Sequence, residues 1–179
     1  MVGLFVLAGV ATWLVHRETL QYGLEYDDYY FLRPHTLAEV LAAFHGPWDV
    51  GGVMVKFYRP LTVVLHAVRF ELFGLNAPAH HAVSLTLFAL AASLAGWFAY
   101  RLTGRAIAAA AATMLVVAHP TMPYSLVAWV TNQMHLLQTL VVLCAFVWWH
   151  SVRTRTLVWW LPLLVFATAA FMVKEDGLM

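Results

Sequence analysis

From His80 to Tyr100 the chain runs for 21 residues without an Asp, Glu, Lys or Arg. A helix of about 20 such residues is just long enough to cross the hydrocarbon core of a bilayer. A backbone in lipid must also satisfy its own N–H and C=O groups, which a helix does internally. The whole chain fits that constraint: of 179 residues 63% are apolar and 11% charged, with a mean hydropathy of +0.76. Soluble domains are about half apolar and a quarter charged. The expectation is an all-α, polytopic membrane protein of about five transmembrane helices, with a large first extracytoplasmic loop bearing short surface helices. Approximate spans are 2–16, 80–100, 106–118, 134–150 and 156–173, and the loop is 17–60.

Ten of the nineteen charged residues fall between Arg17 and Arg59, so polar chemistry is concentrated in that loop. It holds Glu25-Tyr26-Asp27-Asp28-Tyr29-Tyr30-Phe31, two adjacent carboxylates among aromatic rings. Tyr22, Tyr26, Tyr29, Tyr30 and Phe31 also suit an interfacial aromatic belt. Thr36-Leu37-Ala38-Glu39 is a capping-box pattern opening a short helix to about Phe44. Pro60 starts a further helix, Leu61 to Phe73, that carries His66, Arg69 and Glu71 and is too charged for a lipid-facing span. Pro162 is expected to kink the last span.

Arg101/Arg105 and Arg153/Arg155 flank two short loops that must share one side, and the positive-inside rule makes that side cytoplasmic. The acidic pair, the turn after His119-Pro120 and the Lys174-Glu175-Asp176 end then face outward. A net charge of +1 without a continuous basic patch argues against nucleic acid. Cys144 is the only cysteine, so an intrachain disulfide is excluded. The nine histidines lack an i, i+4 ligand pair with a supporting carboxylate, so no metal site is assigned.

The order of these features resembles the GT-C superfamily of membrane glycosyltransferases, in particular the protein O-mannosyltransferase-related proteins. An acidic pair in a first outer loop is followed by Tyr58-Arg59-Pro60-Leu61, a His119-Pro120 turn, Ala128-Trp129-Val130 and a terminal Lys174-Glu175. The resemblance runs from about Tyr26 to Glu175 and rests on order and spacing, with the chain expected to be an N-terminal fragment of a longer enzyme. It implies transfer of a sugar from a polyprenyl-phosphate donor to a hydroxyl of a protein or glycan acceptor, at the surface of a bacterial-type plasma membrane rather than the endoplasmic reticulum. It places Asp27 and Asp28 as catalytic residues, with Tyr58, Arg59, His119, Gln133, Lys174 and Glu175 toward substrate. It implies no certain cofactor and leaves a divalent metal open. Relatives often carry a glutamate four residues before the tryptophan and an arginine four after it, where this chain has Ser125 and Gln133.

Sugar transfer from a phosphate needs one base, because the phosphate leaves as a stable anion. A second carboxylate beside it, together with partial desolvation, raises the proton affinity of the pair. The forked guanidinium of Arg59 and the ammonium of Lys174 suit phosphate charge. Two other readings fit the same residues. One is a non-catalytic membrane protein that binds a lipid-linked sugar or serves as an assembly subunit. The other is a small transporter or channel in which Asn132, Gln133 and His135 line a path, although these residues suit packing between helices equally well.

Overall fold

The computed structural model describes residues 2–25, 27–47, 57–119, 127–152 and 157–174, and the described residues are helical or irregular with no extended sheet. In chain order they form α1 (Val2–His16), a 3-10 turn (Arg17–Gln21), α2 (Asp28–Phe31), α3 (Leu37–Ala42), α4 (Pro60–Phe73), α5 (Ala77–Thr103), α6 (Ala106–Val117) and α7 (Gln133–Ser151). A second 3-10 turn (Leu157–Trp159) leads into α8 (Trp160–Val173). Helices α5 and α7 are long and apolar enough to cross a membrane, while α6 and α8 are shorter apolar helices.

The 27 residues of α5 extend for about 40 Å. Asn76 starts the helix by accepting from the Ala79 N–H at 3.3 Å, and Gly104 ends it in the left-handed conformation at φ 69°. Around it pack α1, α6 and α7, while α8 lies against α7 and α4. Close approach follows from small side chains. Ala8 and Ala11 of α1, Ala92 of α5 and Val117 at the end of α6 form one buried cluster. At Gly96 a Cβ would meet the Ala109 carbonyl of α6 at 2.8 Å and would overlap the Thr113 hydroxyl, so only glycine permits this contact. The end of α6 is tied down by His16, whose ring N–H donates to the Val117 carbonyl at 2.8 Å and whose ring meets Phe88 edge-on.

The segment between α1 and α4 carries the expected short helices, with the Thr36–Glu39 capping box formed in both directions at the start of α3. Ala43 and Val63 pack together with Phe31 and Val40, which holds α3 against α4. The last expected span differs from its sequence reading. Residues 157–159 wind as a 3-10 turn, and Pro162 falls in the first turn of α8, where a missing N–H removes no helical bond. Pro162 therefore opens this helix instead of kinking it. At the other end of the bundle Arg101 donates to the His150 carbonyl at 3.3 Å, joining the last turns of α5 and α7.

Candidate functional site

The two adjacent carboxylates have different surroundings. Asp27 is the residue before α2 and is half-buried. Asp28, the first residue of α2, is wholly buried, at 0% exposure. Its Oδ1 accepts from the Thr131 N–H at 2.7 Å and from the Thr131 hydroxyl, and its Oδ2 accepts from the Glu25 N–H at 2.8 Å. Three donors on one carboxylate fix α2 against the segment that leads into α7. Asp27 is thereby carried at a fixed place beside the buried anchor. Tyr26 lies outside the described residues.

Three residues in the first turns of α7 make further attachments. Gln133, wholly buried, accepts from the Arg69 guanidinium and donates to the Ser84 hydroxyl. Arg69, at 2% exposure, also donates to the His80 carbonyl at 2.9 Å. Burial works against the Arg69 charge and the Asp28 carboxylate works for it. Met134 receives the Arg59 guanidinium on its sulfur at 3.3 Å. One turn later Gln138 donates to the Lys174 carbonyl at 3.5 Å.

Arg59 itself is buried to 7% exposure, just before the proline that opens α4, with its guanidinium 4.2 Å from the centre of the Phe57 ring. Tyr58 is half-buried. Its hydroxyl donates to the Phe44 carbonyl at 3.4 Å and its ring lies 5.6 Å from that of Phe171 in α8. The Thr62 hydroxyl, in the first turn of α4, donates to the Val173 carbonyl at 2.7 Å. This bond joins the Tyr-Arg-Pro segment to the end of α8 and sets half-buried Lys174 at the same end of the bundle.

Of the residues singled out in the sequence, Asp27, Asp28, Tyr58, Arg59, Gln133 and Lys174 belong to segments joined through the first turns of α7. His119 is exposed just past α6, two residues after the carbonyl held by His16. Glu175 and Ser125 lie outside the described residues. Thr131, Met134, Ser84 and Arg69 were not assigned to the site from sequence. For Arg69 a signal existed, since an arginine within an apolar helix must find a partner. For Thr131 and Met134 there was none. Among the described residues no group of three or more His, Cys, Asp and Glu is arranged to hold a metal ion.

Chemically, this end of the bundle offers a half-buried carboxylate, a buried guanidinium and a half-buried lysine within a hydrogen-bonded polar network. Comparison with family models, with curated proteins and with solved structures finds no match to this chain.

Proposed function

We propose that the chain is the N-terminal part of a GT-C type, protein O-mannosyltransferase-related membrane glycosyltransferase that acts at the extracytoplasmic face of a bacterial-type plasma membrane. In this reading α1, α5, α6, α7 and α8 are its first five spans, and the acidic loop lies on the outer surface. The observation that carries the proposal is the difference between the two carboxylates. Asp28 is locked to Thr131 and Glu25, while Asp27 stands half-buried beside it at the end of the bundle that also holds Arg59 and Lys174. A general base needs a fixed position and access to its substrate, and a half-buried Asp27 next to the Asp28 anchor suits that role.

The step is a displacement at C1 of a polyprenyl-phosphate sugar. The acceptor hydroxyl gives its proton to Asp27 as its oxygen bonds to C1, and the C1–O bond to phosphate breaks with both electrons going to the phosphate. Arg59 and Lys174 meet the charge on that leaving group. The wholly buried Gln133, bonded to Arg69 and Ser84, gives a transport path no support.

The test uses the full-length protein in membranes, supplied with polyprenyl-phosphate mannose and an acceptor peptide. Asp27→Asn should lower turnover by a factor of about 100 to 10,000 while leaving the unfolding midpoint unchanged. Wild-type turnover in that variant would overturn the assignment.

A further inference from the structure

A groove along α1 and α5 has no part in the proposed transfer chemistry. Its lower part, about 290 Å³, lies between α1 and α5 and is lined by Gly9, Thr12, Trp13, Leu85 and Ala89 among others. It opens upward into a polar mouth of about 520 Å³ lined by Arg17, Glu18, Gln21 and Tyr22, with Trp13 and Leu20 shared by both parts. The result is an apolar trough beneath a mouth with one cation and one anion.

Arg17 and Glu18, adjacent in the 3-10 turn that follows α1, are both exposed at this mouth and carry opposite charges. Trp13, 52% exposed, and Tyr22, 46% exposed, are the amphipathic rings expected at the level of lipid headgroups.

We infer that this groove binds one glycerophospholipid with a primary-amine zwitterionic headgroup, of the phosphatidylethanolamine type. Arg17 takes the phosphate, Glu18 takes the ammonium, and one acyl chain lies in the trough. A phosphatidylglycerol would satisfy Arg17 and leave Glu18 beside a neutral headgroup. A choline headgroup has no N–H to donate to Glu18.

The experiment measures lipid retained by the intact protein after transfer from nanodiscs holding equal parts of 1-palmitoyl-2-oleoyl phosphatidylethanolamine, phosphatidylglycerol and phosphatidylcholine, read by native mass spectrometry. Phosphatidylethanolamine should be retained over both others. Glu18→Gln should reduce that preference by roughly two- to fivefold, and Arg17→Gln should lower retention of all three.

Gly9→Leu fills the trough from a position where an added Cβ meets nothing within 4 Å, so it should abolish retention with the fold intact. Preference for phosphatidylglycerol, retention indifferent to Gly9→Leu, or displacement of the bound lipid by an equimolar polyprenyl phosphate would each overturn the inference. None of these outcomes depends on glycosyl transfer, so the two proposals fail separately.

Discussion

Asp27 and Asp28 show how far apart two neighbouring, chemically identical side chains can be placed. Removing the Asp28 carboxylate leaves the Thr131 N–H, the Thr131 hydroxyl and the Glu25 N–H without their acceptor in a dry site. Asp28→Ala should therefore destabilise the protein by about 3 kcal/mol or more. Asp28→Asn should recover part of that loss, since one amide oxygen still accepts while its NH2 faces a donor. Asp27→Ala should stay within about 0.5 kcal/mol of wild type. Denaturant unfolding of the purified protein in micelles measures all three, and equal losses at 27 and 28 would refute the separation of roles. The sequence singles out the pair as a polar island. It does not say which member is buried, because Asp28 finds its partner 103 residues away. The same holds for Gln133, whose partner Arg69 is separated from it by 64 positions.

Elements whose determinants are local are the ones that sequence makes legible. α3 begins where Thr36 and Glu39 cap each other, and Arg33 adds a 2.9 Å ion pair to Glu39. The Thr36 backbone N–H and then the Arg33 side chain hold the Glu39 carboxyl well below its ordinary 4.5, at about 2. A carboxyl with a lowered folded value stabilises above its unfolded value and loses that contribution as pH falls through the folded one. Amide exchange in residues 37–42 should thus be constant above about pH 5, once corrected for the intrinsic rate, and should lose protection between pH 4.5 and about 2. Glu39→Gln should flatten this dependence, and an unchanged profile in that variant would show that another group is responsible. The ends of α5 were legible to within three residues for the same reason, since Asn76 and Gly104 are local signals. The start of α8 was not, because the apolar run continues through Leu157 to Trp159 without marking where 3-10 winding gives way to α-helix.

For the whole molecule, the bond from Arg101 to the His150 carbonyl puts the ends of α5 and α7 on one side, and the acidic loop belongs to the other end of the bundle. In a Cys144→Ala background, Thr103→Cys and Ser151→Cys should react with a membrane-impermeant maleimide only from the cytoplasmic side. Glu18→Cys and His35→Cys should react only from outside, and labelling of all four from one side would overturn the spanning arrangement. Helical class, element order and the clustering of charge were all open to sequence reading, because each follows from hydropathy along the chain. The way in which four separate segments meet was not. Thr131, Gln133, Met134 and Gln138 each hold a piece of chain made earlier or later, at separations of 103, 64, 75 and 36 residues. Those separations set an order in time. When the acidic loop leaves the ribosome its anchor has not been synthesised, and the Asp28 carboxylate stays in water until the chain has grown past residue 131 and folded back. The segment that carries Asp27 is thus made early and fixed late.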